Sequence, residues 1–397
     1  MKRTLFCFIT CVLLLCLAAC NQPQSNMDNT AETSSVATTT TVQDTHEAEQ
    51  LPMYAISLPV VTETESATDG TTIFKHTYQN ISLVIPEPEV ADKIILDFLN
   101  ITDLHSEAEA LKNTAEQEYT ANPESFSSYW VQSIYNPTRI DRGVLSLYGS
   151  YATYSGGAHG AFSFKSANYD LVTGEPLDLD DIFAANVSVD EICNLIIRSL
   201  KDQKEAEQLF DDFETIVLDL IRKNFPKNHD WFFSADGLCF FFSPYEIGPF
   251  ASADVVAVIP YDSLIGILDE AYFPAEREHV NGTVQGEIFD ESKLDDFTQF
   301  AEITVEENSD QILLYTNKSV YDVIIKTGSW SADGKTYTPE YTLLVSHTLT
   351  PGDALMIENA LTQTLPSMQL SYTTNDQTVQ FYIGTNSNNN TVILTEN

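Results

Sequence analysis

The segment YSGGAHGAFSFKSANYDLVTGEPLDLDDIF, Tyr154 to Phe183, decides how the middle of this chain folds. Three glycines lie within three positions of His159, so the backbone can bend tightly there. Alternating residues before and after this loop predict two strands, and Thr173-Gly174 predicts a turn that ends the second strand. The segment therefore predicts part of a sheet whose neighbouring strands are joined by a glycine-rich loop.

Helical patterns lie on both sides of these strands. Residues 89–100 and 103–119 predict two helices before them, and residues 189–200 and 207–225 predict two more after them. The stretch WFFSADGLCFFFSPY predicts a hairpin that turns at Asp236-Gly237. Because strands and helices mix without strict alternation, we expect an α+β fold, with an antiparallel sheet packed against helices.

The last part of the chain has a different character. From residue 285 to residue 397, short β-rich runs are separated by turn residues, which is typical of an all-β, sandwich-like domain of the immunoglobulin-like type. The run PGDALMIENAL, residues 351–361, predicts the one helix of this region. We interpret residues 285–397 as an accessory domain that follows an α+β region over residues 71–273, itself divided into parts 71–150 and 151–273.

The N-terminus has the pattern of an exported lipoprotein. Lys2 and Arg3 precede a short apolar run, which ends in LAAC, Leu17 to Cys20. This ending resembles the lipobox of bacterial lipoproteins, in which the cysteine is lipidated and becomes the new N-terminus. The resemblance implies a signal peptide over residues 1–19 and a lipid anchor on Cys20, on the extracytoplasmic face of the cell membrane. The alternative is a plain secretory signal whose cleavage site precedes a cysteine.

Residues 20–70 are rich in Thr, Ser, Asn, Gln and Glu, and they predict a disordered tether. Within this stretch, LPMYAISLPVV at residues 51–61 either packs as a strand or stays loose. Only Cys193 and Cys239 remain once the signal is removed and Cys20 is lipidated. Both lie in apolar runs, so they are either two buried thiols or one disulfide.

The chain is strongly acidic. It has 58 acidic and 19 basic residues, for a formal charge of −39, and loss of Lys2 and Arg3 changes this to −41. Nucleic acid and anionic lipid are both recognised through basic patches, so the composition excludes nucleic acid as a partner and opposes direct docking on a lipid surface. The same charge permits long-range attraction of a basic protein.

Five pieces of the middle region together resemble a domain of unknown function found in bacterial envelope proteins. The pieces are Gly156-Gly157-Ala158-His159-Gly160, Asn168-Tyr169-Asp170 with Thr173-Gly174, the run containing Leu179, Asp181 and Phe183, Tyr245-Glu246-Ile247-Gly248-Pro249, and Ile259-Pro260-Tyr261. The domain occurs in RsiV-type anti-sigma factors, which sense lysozyme, and in PdaC-type peptidoglycan deacetylases. The sequence has no HxxxH motif of the deacetylases and no spanning helix of the anti-sigma factors. The resemblance therefore implies the extracellular, non-catalytic recognition part alone.

Two loops carry the candidate site residues. His159 is the candidate general acid or base, with Asp170, Tyr245 and Glu246 as candidate partners. The residues proposed to contact a ligand are Gly156, Gly157, His159, Tyr169, Tyr245 and Glu246. The alternative is structural: the glycines adopt positive φ, the imidazole bonds to a backbone carbonyl or to Asp170, and Glu246 accepts from backbone amides.

The run DLDD, residues 178–181, has carboxylates at calcium-like spacing, but it lacks the glycine and glutamate of an EF-hand loop, which favours a capping role. We expect no metal site and no cofactor. The sequence therefore predicts a lipid-anchored envelope protein that recognises a cationic protein such as lysozyme, or cell-wall glycan, without catalysis. The alternative is a cell-wall-acting enzyme that uses His159.

Overall fold

The computed structural model describes residues 51–225, 230–249, 255–275, 277–303, 311–358, 367–386 and 391–396. The predicted signal peptide, the lipidation site Cys20 and most of the predicted tether lie outside these ranges. In the part of the chain that is described, no helix has the length and apolar character needed to cross a membrane.

The described chain is mostly β, with four longer helices, which agrees with a mixed α+β fold. The strands are β1 (Ala55–Ser57), β2 (Val60–Ser66), β3 (Thr72–Gln79), β4 (Ser82–Val84), β5 (Tyr129–Ile140), β6 (Val144–Tyr154), β7 (Ala161–Asp170), β8 (Trp231–Phe233), β9 (Gly237–Phe242), β10 (Val255–Pro260), β11 (Val284–Ile288), β12 (Gln299–Ile303), β13 (Gln311–Thr316), β14 (Val320–Trp330), β15 (Tyr337–Leu349), β16 (Asp353–Glu358), β17 (Met368–Thr374), β18 (Gln377–Asn386) and β19 (Thr391–Glu396). The helices are α1 (Pro88–Thr102), α2 (His105–Ala121), α3 (Val189–Lys201) and α4 (Phe213–Asn224).

A five-stranded sheet of order β2-β3-β5-β6-β7 contains the glycine-rich loop. Its pairings are antiparallel except for β3 with β5, and the loop joins the neighbouring strands β6 and β7, as the sequence predicts. Helices α1 and α2 lie between β4 and β5 in the chain and cover one face of this sheet. Phe98 of α1 packs edge-on against Tyr135 of β5, and Ala108 and Ala115 of α2 join a core with Val131.

The opposite face of this sheet receives the hairpin β8–β9. Phe232 stacks on Tyr148 of β6 with ring centroids 4.5 Å apart, and Phe241 packs against the same ring at a tilt, with centroids 4.9 Å apart. Because successive side chains of a strand point to opposite faces, Trp231 and Phe240 point away, into a core with α3 and α4. Cys193 and Cys239 are both buried free thiols, so the structure supports the first of the two alternatives for them.

The N-terminal limit of the fold differs from the prediction. The predicted tether reaches residue 70, but β1 and β2 are strands inside it. Strand β1 is fully buried and pairs with both β15 and β4. Ala55 and Ile56 are each 1% exposed, and burial of such apolar side chains together with backbone pairing offsets the entropy of ordering the chain.

The C-terminal part consists of two sheets with a shared apolar core. One sheet has the order β19-β18-β17-β14-β15-β1-β4, and the other has the order β11-β13-β16-β12. The first includes two strands from before residue 85, so the predicted boundary at residue 285 does not separate these sheets from the N-terminal chain. The predicted helix at residues 351–361 is wrong over its described part, because Leu355 and Ile357 bury their side chains as strand β16, paired on both sides.

Candidate functional site

The glycine-rich loop between β6 and β7 exposes His159. Gly156 and Gly157 have φ values of +89° and +97°, the left-handed region that glycine adopts without steric cost. Gly160 is required for another reason, since a Cβ there would lie 2.6 Å from the Thr153 carbonyl oxygen. The His159 Nδ1 lies 2.9 Å from the Gly160 carbonyl oxygen, which is the backbone contact that the structural alternative predicts.

The second candidate loop follows β9 and presents Tyr245. Its side chain is 68% exposed, and its backbone has a φ of 71°. Glu246 Oε2 accepts from the Ser243 N–H at 2.6 Å, and the Tyr245 N–H donates to the Gly248 carbonyl oxygen at 3.0 Å. Burial raises the pKa of Glu246. Glu246 therefore closes the loop from within, while Tyr245 projects from it.

The two loops meet at an open depression of about 360 Å³. Its lining residues are Thr153, Ser155, His159, Gly160, Ala161, Phe162, Pro244 and Tyr245. The structure thus brings together His159 and Tyr245, two residues that are 86 positions apart in sequence. The described residues that line this depression include no carboxylate.

Two other candidates lie elsewhere. Asp170 ends β7, whose ten residues, at about 3.3 Å each, place it roughly 30 Å from His159. Its Oδ1 accepts from the Val172 and Thr173 N–H groups, both at 2.8 Å, and so shapes the turn after the strand. Tyr169 is 1% exposed and donates its hydroxyl to Asp97 Oδ2 at 3.0 Å. Tyr169 is therefore buried away from the depression, and Asp170 lies at the opposite end of strand β7 from His159.

The aspartates of the DLDD run form a cluster. Asp178, Asp180 and Asp181 each place one oxygen within 4.8 Å of the others. Asp181 Oδ2 accepts from the Asp178 N–H at 2.9 Å, which is a turn-closing bond of the capping kind. Exposed acidic groups cluster in this way on many surfaces without an ion, so we assign these residues to the turn.

A second cavity, of about 390 Å³, was not predicted from the sequence. It lies where α1 meets α2 above the five-stranded sheet. Its lining residues are His76, Tyr78, Gln79, Asn80, Phe98, Leu99, Asn100, Thr102, Asp103, Leu104, His105, Ser133 and Tyr135. The imidazole of His76 is 3% exposed, and its Nε2 has no hydrogen-bond partner among the described residues. Its ring centroid lies 4.7 Å from that of Tyr78 and 5.5 Å from that of His105.

Charged groups surround this cavity on two sides. His76 Nδ1 lies 3.9 Å from Glu63 Oε2, and the Tyr78 hydroxyl donates to Glu63 Oε1 at 3.1 Å. On the helix side, Asp103 Oδ1 lies 2.8 Å from His105 Nδ1 and accepts from the His105 N–H at 2.9 Å. Burial lowers the pKa of His76, which favours its neutral form, while Glu63 opposes that shift.

The alternation of FKHTY is the only sequence signal that pointed to this cavity. It places Phe74, His76 and Tyr78 on one face of β3. This face lies under the helices, and His76 is opposite Val131 of β5. A polar residue on an otherwise apolar strand face indicates a candidate site once the element that covers that face is known. The sequence predicted both helices, but it did not predict which strand they cover.

The fold and the sites define a mixed α+β protein in which one sheet carries an open depression on one side and a histidine-lined cavity on the other. Residues 180–262 match the family described as a protein of unknown function, DUF3298, and the chain contains this domain. The match includes α3, α4, the hairpin β8–β9 and the Tyr245 loop, and the His159 loop precedes it.

Two solved structures of the DUF3298 family are similar to this chain. One, from Bacteroides fragilis, has 18% sequence identity and a TM-score of 0.43, over 55% of this chain and 94% of its own. The other, from Pseudomonas aeruginosa, has 17% identity and a TM-score of 0.36, over 56% of this chain and 97% of its own. None of the curated proteins matches the sequence.

Proposed function

We propose that this chain is a lipid-anchored binding protein of the cell envelope, which recognises a cationic protein such as lysozyme at the depression between His159 and Tyr245. The observation that carries the proposal is the presentation of Tyr245. A large aromatic side chain is 68% exposed on a loop that is closed by Glu246 from within. Rigid, exposed aromatic residues are typical anchors of protein interfaces, because they bury a large area at a small entropic cost.

The charge and the N-terminal pattern support the partner and the location. A formal charge of −39 attracts a basic protein over long range and repels acidic ones. The lipobox-like LAAC motif supports attachment to the membrane through Cys20. The resemblance to the lysozyme-sensing RsiV-type proteins supports lysozyme among cationic partners, and the resemblance to PdaC-type proteins supports cell-wall glycan as the second ligand to be tested.

The arrangement of the candidate catalytic residues favours binding over catalysis. A general base needs an orienting partner and a reacting group within hydrogen-bond reach. Asp170 lies at the far end of β7, and Glu246 is engaged with its own loop. We therefore assign His159 to the wall of a binding surface.

Calorimetry on the full chain in lipid nanodiscs tests this function. We expect lysozyme to bind at low salt, and we expect Tyr245→Ala to weaken binding at least tenfold, since interface anchors contribute about 2 kcal/mol or more. Ile265→Ala is the matched control, because Ile265 is 74% exposed outside the depression. It is expected to leave the affinity unchanged.

The alternatives give different results in the same assay. Binding of purified peptidoglycan without binding of lysozyme would show that the ligand is cell-wall glycan and not a cationic protein. Release of soluble fragments from cell wall, abolished in a folded His159→Ala variant, would establish the enzyme instead.

A further inference from the structure

We propose that the cavity under the α1–α2 corner binds a small organic ammonium group. This cavity is separate from the His159 depression, and the proposal is independent of lysozyme binding. It rests on three features of the described residues that line or border the cavity: an unpartnered buried imidazole, a set of aromatic rings, and carboxylates with no lysine or arginine among the described lining residues.

The imidazole of His76 supplies the first feature. A buried polar atom without a hydrogen bond costs free energy, so native structures rarely leave one unpaired unless a ligand or a water completes it. Nε2 of His76 is such an atom among the described residues. A neutral imidazole has one nitrogen that accepts a hydrogen bond, which suits a ligand with N–H donors. The lowered pKa of His76 agrees with the neutral form.

The aromatic rings supply the second feature. Tyr78, Phe98 and Tyr135 line the cavity, and the Phe98 and Tyr135 ring centroids lie 5.2 Å apart. His105 lines it from the helix side, with its ring centroid 5.7 Å from that of Tyr78. The faces of aromatic rings attract cations, and cages of such rings are a common way to bind ammonium groups.

The carboxylates supply the third feature. Asp103 lines the cavity, and Glu63 lies 3.9 Å from the His76 ring. The described residues that line the cavity include no lysine or arginine. Lys112 lies in the adjoining depression with Glu63, where its Nζ pairs with Glu65 Oε2 at 2.9 Å. A carboxylate accepts several hydrogen bonds, so the bond between Asp103 and His105 leaves acceptor capacity for a ligand. The cavity therefore favours a cation over an anion or a neutral molecule.

A metal ion fits this cavity less well than an ammonium group. In the described part of the chain, the one group of three or more potential ligands whose donor atoms converge is the Asp178, Asp180 and Asp181 cluster, which lies elsewhere. His76, His105 and Asp103 do not bring their donor atoms together in that way. The volume of about 390 Å³ is at the lower end for a small-molecule site, which suits an ammonium group with a short apolar chain.

Two sources present this chemistry: a free small amine and the lysine side chain of a polypeptide. Calorimetry on the full chain in nanodiscs uses butylammonium and Nα-acetyl-lysine amide as probes, with 1-butanol and butyrate as neutral and anionic controls. We expect saturable binding of the ammonium compounds and none of the controls. An affinity for the lysine amide at least tenfold above that for butylammonium assigns the side chain as the source, and equal affinities assign the free amine.

A variant of the lining carboxylate tests the third feature. Asp103→Asn is expected to weaken butylammonium binding about tenfold through loss of a charge-assisted contact. The Asp103 side chain is 59% exposed, so this variant is expected to fold even if His76→Gln does not. Asp92→Asn, an exposed change on α1 outside the cavity, is the matched control. The proposal is wrong if no ammonium probe binds, if butanol or butyrate binds equally well, or if folded Asp103→Asn binds like the unchanged chain.

Discussion

The two faces of the five-stranded sheet differ in what covers them, and the difference decides what each can do. One face is covered by α1 and α2, which bury His76 in a cavity with aromatic walls. The other is covered in part by the hairpin β8–β9, and at its edge two loops expose His159 and Tyr245. The first arrangement favours a small ligand held by desolvated polar groups, and the second favours a large partner that supplies its own surface.

The largest expected effect concerns the covered face. Phe98 is 1% exposed and packs against Tyr135, so Phe98→Ala removes a buried ring between α1 and the sheet. We expect the free energy of unfolding to fall by about 3–5 kcal/mol, measured by urea denaturation. Leu96→Ala, on the same helix at a position 63% exposed, is the control and is expected to change stability by less than about 0.5 kcal/mol. Similar losses in the two variants would show that α1 does not hold the covered face.

A smaller effect is expected at the open edge. Gly160→Ala places a Cβ 2.6 Å from the Thr153 carbonyl oxygen, which is backbone and cannot rotate away. We expect a loss of about 1–3 kcal/mol in urea denaturation and weaker lysozyme binding, because the His159 loop must shift. Gly157→Ala meets no atom within 4 Å and is strained only by its φ of +97°, so it separates backbone strain from the clash. Equal stability of Gly160→Ala and the unchanged chain would contradict this geometry.

The sequence predicted helices α1 and α2, which cover the sheet, and helices α3 and α4, which follow it in the chain. It also predicted the hairpin at Asp236-Gly237 and the glycine-rich loop, because each of these features has a local signal. It did not predict that Ala55–Ser57 joins a sheet with strands almost three hundred residues away, since pairing partners carry no local signature. It predicted a helix where β16 is a strand, because helical periodicity in a short apolar run does not reveal the neighbours that bury it.

The same limit applies to the sites. The glycine-rich loop and the loop of Tyr245 are visible in the sequence as candidate site loops. His159 and Tyr245 do lie together at the open edge. Asp170 and Tyr169 share a motif with them in sequence, but strand β7 carries both away from the loop. His76 has no motif at all, because its environment is made by a helix corner that follows it in the chain. A cavity of this kind becomes visible only when the covering layer is known.

The smallest expected effect is the pH dependence that His76 gives to stability. Burial lowers its pKa in the folded protein, with a lesser contribution from His105, while Glu63 and Asp103 raise it. The unfolded chain therefore binds a proton more readily than the folded chain, so the stability held above the unfolded pKa of about 6.5 is lost as the pH falls. Burial lowers the pKa of His347 as well, so the stability that His347 contributes is also lost as the pH falls.

Urea denaturation at stepped pH values measures this dependence. We expect the histidine contribution to the free energy of unfolding to decrease from neutral to mildly acidic pH. The difference in unfolding free energy between the unchanged chain and His76→Gln is therefore expected to change over that range. Adding His347→Gln is expected to enlarge this change, since the two residues are separate contributors. If His76→Gln leaves the pH dependence of stability unchanged, the His76 imidazole is not held neutral on the covered face. The two faces of the sheet would then not differ in how they treat a titratable group.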